Sequence, residues 1–116
     1  MPSAMPPSVL TAFESELRQA ATAPDPDTMW TALERAHILS QAWAWPHTRA
    51  HWHMLRLALR QSDRRETLGQ VIRLLVAGPG SLMGRAPVGN SGRATMGLWD
   101  TAPIPDDLAR ILATAS

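Results

Sequence analysis

Proline and glycine cut this chain into pieces of helix length. Between Pro7 and Pro24, Pro26 and Pro46, and Pro46 and Gly78, proline is absent and glycine occurs once, at Gly69. Proline blocks a helix interior but suits its first turn, and glycine favours its end. Each of these stretches repeats apolar residues at helical spacing. With Ser8 as cap, Val9 to Ala23 reads as a first helix, its inner face Leu10, Phe13, Leu17 and Ala20. Asp25 before Pro26 is a start signal for a second helix, to about Trp43, with Trp30, Leu33, His37 and Ala44 on one side. Trp45-Pro46 marks the next break, because a residue before proline is pushed out of the helical region. Pro46 then serves as the first residue of a third helix, His47 to Gln61, with Met54, Leu55, Ala58 and Leu59 as its stripe, continued by His47, His51 and Trp52.

Asp63 with Glu66 three residues on fits a capping box for a fourth helix. This helix uses Leu68, Val71, Ile72 and Leu75 as its inner face and ends at Ala77, before Gly78-Pro79-Gly80. Residues 78–103 hold six of the seven glycines and read as a long irregular loop, then Asp106 to Ala113 as a short last helix. The expected fold is all-α, a four-helix core with a long Gly/Pro-rich loop and a short C-terminal helix. Residues 1–7 are expected to form a disordered arm, and 8–116 one domain, in line with a length of 116 residues.

Composition narrows the chemistry. There is no Cys, Lys or Tyr, so thiolate sites, disulfides, Schiff bases and a Walker lysine are excluded. No run of about 18 apolar residues indicates a membrane span. The N-terminus lacks a secretory pattern, which leaves the cytoplasm as the default compartment. The net charge of +1 hides an asymmetry. Residues 1–34 carry five acids against Arg18, and residues 35–116 carry ten Arg against five acids. The stripe Arg49, Arg56, Arg60, Arg64 and Arg65 reads more simply as a solvated face paired with the acidic N-terminal helix than as a nucleic-acid surface.

All four histidines lie between 37 and 53. Glu34 and His37 are three apart, and His47 and His51 four apart, which places each pair on one helical face a turn apart. A short link makes the second and third helices antiparallel neighbours. His37, about 9 Å before the end of its helix, and His51, about 7.5 Å after the start of the next, then stand at one height. Glu34, His37, His47 and His51 are therefore the candidate metal ligands, with Glu14, Gln41 or Glu66 able to complete the shell. His53 points away. The single Glu-x-x-His partly resembles the paired motifs of ferritin-like carboxylate–histidine bundles, and a homodimer would supply the second copy.

The ion expected is divalent, iron or zinc, since neutral imidazoles suit such borderline metals. A metalloenzyme acting on a small molecule through Glu34, His37 and His51 is the first reading. A non-catalytic metal-binding accessory, an interaction module with structural histidines, and metal-free catalysis by His37 paired with Glu34 are the alternatives. Trp30, Trp43, Trp45 and Trp52 surround the hairpin, as core packing or as the wall of a pocket. The loop from Gly84 to Gly92 contains the turn signature Gly89-Asn90-Ser91-Gly92 and reads as a lid or a surface loop.

The strings Leu33-Glu34-Arg35-Ala36-His37-Ile38-Leu39, His47 to Leu55, Gly69-Gln70, Pro87-Val88-Gly89-Asn90-Ser91-Gly92 and Pro103-Ile104-Pro105 resemble a small bacterial family known as a domain of unknown function (DUF3703), over about residues 10–113. The resemblance implies no established reaction. It does imply that Glu34, His37, His47, His51 and the Gly89–Gly92 loop form one motif set. A second glycine is expected where Arg93 stands.

Overall fold

The computed structural model describes residues 4–82, 91–94, 96 and 101–114, with the backbone alone over 75–82. Helices α1 (Pro7–Thr22), α2 (Pro26–Ser40), α3 (Ala44–Arg60) and α4 (Arg64–Leu82) form the core, and the short α5 (Asp106–Ala113) follows. The fold is all-α, and no strand occurs among the described residues.

Several boundaries differ from the sequence reading. α1 begins at Pro7 with Pro6, not Ser8, at its cap position, since proline at the first helical position needs no amide partner. Its buried face is Val9, Phe13, Leu17 and Ala20, and Leu10 is exposed. Met5 of the expected arm packs against the core. The break between α2 and α3 lies at Gln41–Trp43, not at Trp45-Pro46. Pro46 is accommodated inside the first turn of α3, where its missing N–H costs nothing. Asp25 caps α2 as expected, accepting a 2.8 Å hydrogen bond from the Thr28 amide. Asp63 likewise accepts from the Glu66 amide at 3.0 Å, but Glu66 turns inward rather than closing a capping box.

The main apolar core joins α1, α2 and α3 through Phe13, Leu17, Trp30, Leu33, Met54 and Leu57, with Ala36, Ala50 and Ala58 letting the helices approach. A second cluster of Val9, Ile38, Leu39 and Leu108 lets α5 close one end. Arg35 fastens that end by pairing with Glu16 and Asp107. Arg49 pairs with Glu14 at 2.6 Å. With Arg93 paired to Glu34, three acids of the first 34 residues are partnered by later arginines, so the charge asymmetry serves contacts within the fold.

α4 reverses its expected sidedness. Leu68, Val71 and Ile72 are exposed, and the side chains turned inward are Glu66, Gln70 and Arg73. Their neighbours explain it. These residues face a polar centre and the backbone of Gly92, Ala94 and Met96, whose donors and acceptors require partners. The helix also continues to Leu82, past the Ala77 stop and through the start of the expected loop. Pro79 lies within its last turn, where it gives up the one helical bond that an amide at 79 would donate to the carbonyl of residue 75. On α3 the buried stripe is His47, Ala50, His51, Met54, Leu57 and Ala58, whereas Trp52 and Leu59 point to solvent.

Candidate metal centre

Two helices deliver the three histidines. α2 presents His37 in its last turn, and α3 presents His47 and His51 on successive turns. The short link folds α3 back along α2, so His37 and His51 meet at one height as the spacing predicts. The Nε2 atoms of His37 and His51 are 3.0 Å apart, those of His47 and His37 3.0 Å, and those of His51 and His47 3.2 Å. All three rings are buried, at 2–7% exposure.

This near-equilateral triangle has the dimensions of one face of a coordination sphere. Metal–nitrogen bonds of about 2.0–2.1 Å require nitrogen–nitrogen edges of about 3.3 Å in a tetrahedron and about 2.9 Å between adjacent corners of an octahedron, and the observed edges fall between the two. The cluster could therefore coordinate a metal ion.

Gln70 fixes how His51 faces the triangle. Its amide nitrogen donates to the Glu66 carboxylate and to the Gly92 carbonyl, both at 2.8 Å. Its oxygen is therefore the atom 2.8 Å from His51 Nδ1, and it can only accept. His51 thus carries its proton on Nδ1 and turns the lone pair of Nε2 toward the other two rings, the arrangement that outer partners impose on metal-binding histidines. Burial drives the rings toward the neutral form. His47 is pushed down to about 3 by burial and then by the neighbouring His51. His51 is pushed down to about 4, chiefly by burial.

Residues 91–94 and 96 form a strap across the centre. Glu66 accepts from the Ala94 amide at 2.8 Å and from Arg93 Nε at 2.6 Å, Gln70 holds Gly92, and Arg73 donates to the Met96 carbonyl. Gly92 has φ +85°, and a Cβ there would lie 2.6 Å from the His37 ring. A Cβ at Gly69 would lie 2.4 Å from that of Ala94. Both glycines are thus needed for the strap to lie flat on α4 and on His37.

Of the residues singled out from sequence, the structure brings His37, His47 and His51 together and does not bring Glu34 among them. The Glu34 carboxylate faces Arg93 Nη1 at 3.4 Å, and burial raises its pKa against the pull of that guanidinium. Arg93, standing where a glycine was expected, joins Glu34 to Glu66 and lies 3.8 Å over the Trp30 ring. Trp30 is buried and donates to Gln61, Trp43 packs at the α5 end, and Trp45 and Trp52 are exposed rather than lining a pocket. The part of the Gly84–Gly92 loop from Gly84 to Asn90 lies outside the described residues.

Gln70 escaped the sequence reading as a participant. The available signal was the spacing of Glu66, Gln70 and Arg73, which puts three polar side chains on one face of a helix.

No helix among the described residues is long and apolar enough to cross a membrane. Comparisons with curated proteins and with solved structures give no match. A family model does match over residues 7–112, nearly the whole chain, and its span takes in all three histidines, Gln70 and the strap. The chain belongs to the family described as a protein of unknown function (DUF3703).

Proposed function

We propose that this protein binds one divalent transition metal ion through the Nε2 atoms of His37, His47 and His51. The observation that carries this reading is the convergence of three buried imidazole nitrogens to 3.0–3.2 Å, at ligand spacing and with no carboxylate in the group. Three neutral imidazoles leave the charge of a divalent ion intact, which suits zinc or iron(II) and keeps the ion a strong Lewis acid. Glu34 acts as the charge partner of Arg93 in this reading, one turn of α2 from His37, rather than as a ligand.

Catalysis is the reading we favour for the bound ion. Three protein ligands leave at least one position for water or a small substrate, as catalytic zinc sites do. The closed setting of the rings, buried beneath the strap, supports the second reading, a non-catalytic metal carrier or sensor.

Elemental analysis of protein purified without a polyhistidine tag tests the proposal. Metal at about one equivalent, lost in His37→Ala and His51→Ala variants that keep their helicity, is the expected result. A metal-free protein that takes up no zinc or iron when either is supplied would overturn it. Hydrolytic activity abolished by chelation and restored by a single metal separates the enzyme from the carrier.

A further inference from the structure

The α3–α4 hairpin turns one face to the metal centre and leaves the other bare. His51 and Gln70 meet at the centre. One residue further along, each helix has rotated by about 100°. Because α3 and α4 run antiparallel across a short link, those two rotations carry Trp52 and Val71 to the same side, away from α2. Trp45 and Leu59 lie seven residues on either side of Trp52, which keeps them on that side. Leu68 lies three residues before Val71 and four before Ile72, so these three side chains span the half of α4 opposite its buried Glu66, Gln70 and Arg73. All six are exposed, Trp45 at 72%, Leu68 at 63%, Leu59 at 58% and Trp52 at 52%. α4 packs chiefly on α3 and the strap, so this side of the hairpin has no helix against it among the described residues.

We propose that this face is the interface of a homodimer, in which two α3–α4 hairpins pack about a two-fold axis as a four-helix layer. Area is the first argument. The exposed fractions of these six side chains amount to on the order of 700 Å². Monomers rarely leave apolar patches above about 300–600 Å² uncovered. A standard interface buries about 800 Å² per partner. Pattern is the second argument. A seven-residue repeat of large apolar residues on α3, beside Leu68, Val71 and Ile72 on α4, is the seam along which antiparallel helices pack in bundles. A second copy supplies the identical seam, and a two-fold axis makes it self-complementary. The proposal is independent of the metal reading, because the histidines lie on the opposite side of the hairpin.

The charged rim separates a second copy from other occupants. Arg56, Arg60, Arg64 and Arg65 are exposed along the same hairpin. Across a two-fold they repel, so salt that screens them holds or strengthens the dimer. Binding to an acidic protein or an anionic lipid surface weakens with salt instead.

Sedimentation of the full chain from about 1 to 100 µM, in low and high salt, tests this. The expected result is twice the 12.7 kDa chain mass, held or strengthened by salt. Trp52→Glu and Ile72→Glu should each weaken the dimer by at least about 30-fold, with helicity by circular dichroism unchanged. These side chains are solvent-facing in the single chain, so the folded chain tolerates the changes. A monomer at every concentration would overturn the proposal. So would a dimer indifferent to both substitutions, or a monomer that binds vesicles of anionic phospholipid reversibly with salt.

Discussion

Two buried regions share α2 and α3 and are held by opposite physics. Around Phe13, Leu17, Leu33, Met54 and Leu57 the interior is apolar, and its stability follows the area removed from water. A few residues away on the same two helices, His37, His47 and His51 meet one another, Gln70 of α4 links His51 to Glu66, and no buried side-chain polar atom among the described residues lacks a partner. The apolar region is set by volume, so it accepts substitutions that keep size. The polar region is set by direction: each group has particular neighbours it must face, and a change of a single atom's identity propagates from Glu66 through Gln70 to His51. The contrast shows why α4 is inverted. A helix packed against a polar centre must turn its polar side inward, and its apolar side is then left for something else to cover.

Substitutions in the two regions should therefore fail in different ways. Phe13→Ala removes a fully buried ring from the apolar side and should cost about 3–5 kcal/mol in urea unfolding. The metal affinity of the molecules that remain folded should be unchanged. Loss of metal affinity out of proportion to the unfolded fraction would mean that the two regions are one.

Acid should act chiefly on the polar side. With His51 at about 4 in the folded chain and an ordinary histidine value of 6.5 unfolded, the unfolded chain binds more protons between those limits. Stability of the metal-free protein is thus fully present above about pH 6.5 and falls as the pH drops toward 4, by on the order of 3 kcal/mol from His51. His47 adds to the loss in the same direction. Thermal unfolding followed across this range should show the decline, and a flat profile would argue that the rings are not buried neutral.

The smallest effect should come from Gln70→Leu. It keeps the bulk but removes the acceptor for His51 Nδ1 and the donor to Gly92. Metal affinity measured by competition with a chelator should fall about 10- to 100-fold. An unchanged affinity would show that His51 is oriented by packing, as in the apolar region.

Much of this was legible in the sequence, and the rest fails for identifiable reasons. Asp25-Pro26 and the period of Phe13, Leu17 and Ala20 locate elements because capping and burial act locally. The convergence of His37, His47 and His51 followed from helix rise and a short link alone. The sidedness of α4 did not, because Leu68, Val71 and Ile72 carry the same periodic signal whether they meet a core or face outward. The partner of Glu34 was equally hidden. Arg93 is 59 residues away, and only the path of the strap brings the two together. The role of Gly92 required knowing that the His37 ring lies beneath it. The α2–α3 break differs by a few residues because the rule that a residue before proline leaves the helix does not hold at Trp45: α3 starts at Ala44 and carries Pro46 third in its first turn, not first.

The central claim is that three imidazoles hold one metal. X-ray absorption at the metal edge, on untagged protein loaded with one equivalent of zinc, tests it most directly. Three imidazole nitrogens at about 2.0–2.1 Å are expected, falling to two in His37→Ala. A first shell of oxygen atoms only, unchanged by that substitution, would contradict it.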